Sequence, residues 1–432
     1  MGINSCGTTM LDQGVFNNIG TVTWDTTAKT SNFTATSGSG FFVNTTSGAI
    51  TVTLPSSPSA GNIVAIKDYA NTADTNNITI DRNGSNIRGS ASNAVLDTEG
   101  ISIFLVYVDG TQGWRPTNSA KKSDLAGPFI EATGGTITES GDFKIHTFTS
   151  PGTFCVTNAG LPSGSTTVDY MVVAGGAGGG GDNGCGSGGS GGGGAGGFRE
   201  SHSTPVSGCY TASPLATPTA LPVSVQGYPI TVGAGGTGGC VSNPGGSGAN
   251  SVFSTITSAG GGGGGRFNRT SNTGGSGGGQ GANNGSGQTT GSAGNTPPVS
   301  PPQGNKGGNS MSFGGGPGRG SSGGGGATAA GTNNPSGTDG TAGGAGATTN
   351  ITASPVAYSG GGGGGGWNGA SAGSGGTGGG GAGGSNASGN NATANTGGGG
   401  GGIGPTNTSP APPPRTGGTG GSGIVVIRYK FQ

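Results

Sequence analysis

Charge is scarce in this chain. Only 7% of its residues are charged, 16 acidic and 16 basic. Disordered chains usually stay soluble through charge, and nucleic-acid-binding domains carry a basic patch or stripe. Neither pattern occurs, so no nucleic-acid partner is expected. The uncharged surface, rich in Gly, Ser, Thr and Asn, suits sugars or other neutral surfaces better than phosphates. Cysteines number five: Cys6, Cys155, Cys185, Cys209 and Cys240. There is no CxxC and no zinc-type spacing, so no metal site is expected. The odd count argues for isolated thiols; a bridge among Cys185, Cys209 and Cys240 is the other reading. No apolar run approaches membrane-spanning length.

Catalytic chemistry is equally thin. His146 and His202 are the only histidines. Glycan cleavage needs paired carboxylates in a groove, yet the acids after residue 170 are Asp182, Glu200 and Asp339 alone. The segment FRESH (198–202) sets Glu200 near His202, which reads more simply as a surface loop. No GxxxxGK[ST] occurs, and GPGRGSS (316–322) lacks the lysine of a phosphate loop. The expectation is a protein that is not an enzyme, with no catalytic residue and no cofactor.

Glycine is what the chain has. Of 110 glycines, 20 precede residue 171 and 90 follow it. They do not recur every third residue, which excludes collagen. Glycine is costly to order: fixing a backbone takes roughly 1–2 kcal/mol per residue, and glycine sits at the high end. A folded glycine region must therefore recover that cost through its backbone. Extended polyglycine helices, with three residues per turn and about 3.1 Å rise like polyproline II, can pack side by side and bond in several directions. On this reading an isolated Ala, Ser or Asn faces outward. The seven glycines of VAYSGGGGGGGWNG (356–369) become one buried pass of about 22 Å that meets a turn at Trp367. Segments 198–229, 266–272, 295–306 and 405–415 become the turns.

The rest reads as strand. AITVTLP (49–55) alternates, with Ile50, Val52 and Leu54 on one face. NIVAIKDY (62–69) and NNITID (76–81) follow, with a tight turn at Asn83-Gly84. ISIFLVYV (101–108) is apolar on both faces, as in a central strand or at a subunit interface. DFKIHTF (142–148), GTFCVT (152–157) and VDYMVVAG (168–175) form a second group. The terminal GIVVIRYKF (423–431) is expected to pair with Val172 and Val173, which ties both ends of the glycine region into a small β-sandwich. The fold class expected is all-β: an N-terminal β domain (1–118) for attachment or oligomerisation, a linker (119–128), a β module (129–174), a glycine-rich distal domain (175–422) and a closing strand (423–432).

TLPSSPSAG (53–61), IKDYA (66–70), NNITIDRNGSNIRG (76–89) and LVYVDGTQGW (105–114) resemble a domain recurring in tail fibres of marine bacteriophages. FIEATGGTITESGDFKIHTFTSPGTFCVT (129–157) resembles the module that often follows it. VDYMVVAGGAGGGG (168–181) and GGSGIVVIRYKF (420–431) resemble the two ends of a glycine-rich fibre-tip domain. The resemblance covers nearly the whole chain. It implies a virion tail-fibre protein, a homotrimer held to other tail or fibre proteins, whose distal part touches a host cell-surface receptor, either a polysaccharide or an outer-membrane protein. The alternative is a purely structural fibre, collar or decoration protein without recognition. The start, MGINSCGTTM, has neither a basic n-region nor an apolar h-region. That suits synthesis in the host cytoplasm and release by lysis. Aromatic and basic loop residues are the natural contacts, because Trp, Tyr and Arg dominate binding hot spots. The candidates are Tyr210, Arg266, Phe267, Arg269 and Trp367.

Overall fold

The computed structural model describes residues 4–5, 8–9, 22–118, 129–161, 164–181, 188–240, 243–283, 288–311, 319–335, 337–406 and 415–432. The expected linker 119–128 lies outside them, as do Cys6 and Cys185. The fold is all-β, with a single short helix at Thr204–Ser207 among the described residues. The chain divides into two compact units. The first comprises Met1–Ile130, Asn158–Thr166 and Gln432; the second comprises Glu131–Thr157 and Thr167–Phe431.

In the first unit the chain winds between two sheets. Thr23–Lys29, Ser39–Val43 and Ile63–Asp68 lie parallel in one sheet. The intervening Phe33–Thr34, Ile50–Thr53 and Ile78–Asp81 lie parallel in the other. Antiparallel strands complete each sheet, Ala94–Leu96 in one and Ser102–Tyr107 with Trp114–Pro116 in the other. The expected alternation holds: Ile50, Val52 and Leu54 are buried in one core with Val64, Ile66, Ile103 and Leu105. Asn83 and Gly84 both take positive φ, 45° and 90°, as the tight-turn signal requires.

Strand Ser102–Tyr107 lies second from an edge rather than centrally. Its second apolar face joins aromatic residues of other strands in the sheet. Phe104 stands 6.2 Å from Trp24, which lies tilted 5.0 Å from Phe42, which meets Tyr69 at 6.4 Å. These rings cover the outer face of the sheet. A side chain on Gly40 would collide with the Trp24 indole and Val22.

The second unit begins as a sandwich. One sheet has the order Ile130–Thr133, Gly152–Ala159, Gly227–Thr231, Ser251–Phe253, Ile256–Ser258. The other runs Thr136–Ser140, Phe143–Phe148, Ile424–Lys430, Thr167–Val173, Phe198–Ser201, Ala216–Thr217. The closing strand lies antiparallel to Thr167–Val173, pairing Val425 with Val172 and Ile424 with Val173, as its β-branched content led one to expect. Aromatic rings fill the space between the sheets: Phe154 packs 5.0 Å from His146, 6.2 Å from Tyr429 and 6.0 Å from Phe253. The opposite face of the longer sheet buries Met171, Val173, Phe198 and Val426 against Ala347, Ile351 and Tyr358. Burial on both faces explains the apolar runs YMVV and IVVI.

Beyond the sandwich the strands continue as glycine. Residues 174–181 leave Thr167–Val173, and 188–197 return into Phe198–Ser201. Residues 359–366 likewise leave Val356–Tyr358, and 415–423 return into Ile424–Lys430. Hydrogen bonding along one pass repeats every third residue. The amides of Gly175, Gly178 and Gly181 donate to Ala249, Gly246 and Asn243. Those of Gly176 and Gly179 donate to Gly421 and Gly418; those of Ala174, Ala177 and Gly180 donate to Gly197, Gly194 and Gly191. The carbonyls accept from three further passes, through Gly261 and Gly264, Gly236 and Gly239, and Gly400. One pass thus bonds six neighbours with the threefold period of polyglycine II.

The seven-glycine run is such a pass. All seven amides, Gly360 to Gly366, donate to the backbone of neighbouring passes: Gly378, Gly381 and Gly384; Gly344 and Thr341; Gly193 and Ser190. Every residue in it is buried. A side chain on Gly360 would strike the carbonyl oxygen of Gly376, on Gly363 that of Gly373, on Gly365 that of Ile403. Glycine is thus required for close approach, not for positive φ.

One expectation fails. Ala177, Ala195, Ser190, Ser276, Ser321 and Ser322 are buried within the bundle rather than turned outward. For three of these serines the hydroxyl accounts for this. Ser190 Oγ donates to Gly181 at 2.6 Å, Ser321 Oγ to Ser190 at 2.7 Å, and Ser322 Oγ to Gly308 at 2.6 Å. A serine there adds a donor for carbonyls that still have a free lone pair.

Candidate functional site

The four expected turn segments sort to opposite ends of the bundle. Residues 198–229 begin with a sandwich strand, and 295–306 also lie at the sandwich end, where Gln303 Oε1 accepts the Ala259 amide at 2.8 Å. Residues 266–272, and the described residues 405, 406 and 415 of the fourth segment, lie at the far, distal end, each group following a pass that starts from the sandwich end. Residues 407–414 fall outside the described set; Arg415 reaches the Gly404 carbonyl through Nη1 at 2.8 Å.

At the distal end the pass 359–366 stops at Trp367. The Trp367 amide donates to Thr338 and that of Asn368 to Pro405. Asn368 and Gly369 take φ of 52° and 85°, the tight turn that Asn-Gly favours. Trp367 is half-buried. The Arg319 guanidinium lies 5.5 Å from its ring and 5.9 Å from that of Phe267. Both distances fall in the cation–π range. A side chain on Gly188 would meet Ala282, Phe267 and Arg319 at once, so that glycine makes room for the cluster. Arg319 was the residue sequence reasoning passed over. Its only sequence signal is an arginine set among glycines where a pass begins, in a segment, GPGRGSS, that lacks the lysine of a phosphate loop.

The other candidates divide. Arg266 and Phe267 are buried at 9% and 6% exposure, so they hold the tip together, while Arg269 is exposed. The Trp367 indole N–H is shielded and has no acceptor among the described residues. Tyr210 is not in this group. It lies at the sandwich end, 4.3 Å from the His202 ring and 5.0 Å from the Arg428 guanidinium. Burial, then the nearby Glu200 and Asp169, raises its phenol above the usual range.

Tyr210 borders a buried polar layer. Asp169 accepts from Ser201 Oγ at 2.6 Å, Ser207 Oγ at 2.6 Å and the Ser203 amide at 2.7 Å. Glu200 accepts from the Ser213 amide at 3.0 Å and Thr349 Oγ1 at 2.5 Å. Arg428 Nε donates to Ser207 and Nη1 to Ile351. Burial raises the Glu200 carboxyl above its ordinary value. His202 faces the Gly208 carbonyl at 3.0 Å. The FRESH residues are therefore used in tying the 202–215 and 347–353 loops to the sheet.

Among the described residues no three His, Cys, Asp or Glu side chains gather as a metal site. Cys155, Cys209 and Cys240 are free thiols. Among the described residues no helix is long and apolar enough to cross a membrane. A comparison with curated proteins finds no match. A family described as a glycine-rich domain matches residues 149–430. That span takes in the Gly152–Ala159 strand, the whole polyglycine bundle and the closing strand. The chain belongs to this glycine-rich domain family.

Proposed function

We propose that the chain is a bacteriophage tail-fibre tip adhesin that recognises the host cell surface. The observation that carries the reading is the division of labour in the second unit. The passes are hydrogen-bonded to one another along their length, and several continue directly from sandwich strands. That construction makes a stiff stalk whose free variables are the connections at its distal end. Those connections hold an exposed arginine, Arg269, and a half-buried tryptophan, Trp367, stacked on Arg319. Trp and Arg are the side chains most enriched in binding hot spots. The sequence resemblance over residues 53–114, 129–157, 168–181 and 420–431 supports the same reading. It adds the expectation of a homotrimer attached to other tail proteins.

The test is competition. The purified full chain, at saturating dose, should block adsorption of the parent phage to its host, and a Trp367→Ala variant of unchanged melting temperature should block it less well. Adsorption that proceeds unchanged with the wild-type chain bound nowhere on the cells overturns the reading in favour of a structural fibre or collar component.

A further inference from the structure

The chain is formally neutral, but the fold does not distribute its charge evenly. Between the strands Phe198–Ser201 and Ile424–Lys430 the charged residues are Arg266, Arg269, Lys306, Arg319, Asp339 and Arg415. Lys306 follows Gln303 closely, near the sandwich. The others all belong to the distal end. Arg266 and Arg269 lie in the turn after pass 259–265, and the Arg319 carbonyl accepts from Gly189 at 2.7 Å. Arg415 bonds Gly404. Asp339 Oδ1 accepts the Ser371 amide at 2.8 Å. Among the described residues, four arginines thus lie with one aspartate at one end of a neutral molecule, and that aspartate accepts a backbone amide.

We infer that the distal face binds an acidic polysaccharide, with Arg269 and Arg319 meeting carboxylates and Trp367 stacking on a sugar ring. This deepens the adhesin reading and rests on it. Three physical points favour this ligand. Every distal cation is arginine, whose planar fork matches a carboxylate bidentately where lysine offers only a point charge. Arg319 is already held between two rings, 5.5 Å and 5.9 Å away, so little rotamer freedom remains to be lost on binding. An aromatic face beside that cation offers a pyranose ring an apolar surface. A neutral glycan would use the ring but would draw nothing from the exposed Arg269 beside it. The composition alone pointed to neutral sugars because the count of charges conceals where they are placed.

The experiment measures binding of the full chain to polygalacturonate and to neutral dextran, alongside binding to host cells. The expected result is retention on polygalacturonate and none on dextran. Raising salt should weaken it, since the screening length is about 8 Å at physiological ionic strength. Arg269→Ala and Arg319→Ala should each reduce affinity about tenfold, and Arg319→Lys should fall between, as loss of a charge-assisted bidentate contact predicts. Arg269 is exposed, so its variant keeps the proposal testable if the Arg319 change disturbs the tip. Equal affinity for the two polymers, or an Arg269→Ala/Arg319→Ala chain that binds as wild type, overturns the inference. A chain that binds host cells in a salt-insensitive, protease-sensitive way and ignores polygalacturonate points to a protein receptor: the inference falls and the adhesin reading stands. A chain that binds neither cells nor polymer removes both.

Discussion

The Ser321 hydroxyl donates to the carbonyl of Gly365 at 2.9 Å, and the Ser321 amide donates to the same oxygen at 3.2 Å. The acceptor belongs to the seven-glycine run, and the two donors come from a pass about 40 residues earlier in the chain. Contacts of this kind, rather than side-chain burial, hold the distal half of the molecule together. A single intramolecular hydrogen bond is worth about 0.5–1.5 kcal/mol net, the same order as the conformational cost of the residue that makes it. The bundle therefore depends on every pass finding neighbours all along its length.

Substitutions at Gly363 and Gly337 should differ in sign. At a position whose conformation alanine can adopt, Gly→Ala stabilises by about 0.4–1 kcal/mol through the unfolded state. Gly337 is such a position, since an added Cβ would have no neighbour closer than 3.7 Å. At Gly363 the same methyl would drive into the Gly373 carbonyl oxygen, which is backbone and cannot swing aside. Gly337→Ala should leave the melting temperature level or slightly raised. Gly363→Ala should lower it by several degrees, as overpacking costs of about 1–3 kcal/mol imply. Equal melting temperatures for the two variants would show that the passes are not packed as described.

Much of this architecture was legible in the sequence because it follows from local rules. Ile50, Val52 and Leu54 announce a half-buried strand by alternation. The β-branched run at 424–427 announces a closing strand that needs a partner, and the matching run at 168–173 is the one available. The cost of ordering glycine makes neighbours obligatory, so the seven glycines had to be a packed pass. What was not legible depends on register between distant passes. Nothing local says that Ser190, Ser321 and Ser322 face inward, because each is accommodated by a carbonyl from another pass. Nothing local separates Tyr210 from Phe267 either. Both are aromatic residues in glycine-poor segments, and only the direction of the passes puts one at the sandwich and the other at the tip. Arg319 was missed for the same reason: Phe267 and Trp367, its two ring partners, are far from it in sequence.

Stability should fall on mild acidification, and His146 is the cause. Its Nδ1–H donates to the Gly134 carbonyl at 2.8 Å, so Nε2 is left to accept from the Tyr429 hydroxyl at 3.0 Å. The ring also stacks on Tyr429 at 5.6 Å and is fully buried. Burial holds its pKa below the ordinary 6.5, against the opposing effect of the Gly134 carbonyl. A depressed folded-state pKa means that both states are neutral above about 6.5, where the full stability is present. As pH falls below that value the unfolded chain takes up the proton first, and stability is lost until the folded-state pKa is passed. Melting curves of wild type should shift downward across this window by at most about 1.4 kcal/mol per pH unit. His146→Gln should remove that slope whatever its effect at neutral pH; an unchanged slope would assign the acid sensitivity to another group.

Glu200 should produce a pH dependence of the opposite sign. It is 1% exposed, and burial raises its carboxyl above the ordinary 4.5 despite the Ser213 and Thr349 hydrogen bonds. The folded state therefore keeps a proton that the unfolded state has already released. Stability from this group is greatest below about 4.5 and declines as pH rises toward the folded-state pKa. Glu200→Gln cannot ionise and should abolish the decline, leaving the variant as stable as wild type or more so at neutral pH, because the amide oxygen still accepts from the Ser213 amide and Thr349 can reorient its hydroxyl toward the NH2 group. Glu200→Ala should behave differently. It strands the Ser213 amide and the Thr349 hydroxyl in a buried layer, at about 1–3 kcal/mol for each unpaired group. Thermal unfolding of the two variants from mildly acidic to neutral pH separates the roles. If Gln and Ala destabilise alike, the charge of Glu200 is what the layer needs, and the carboxylate is held ionised by the surrounding donors rather than neutralised by burial.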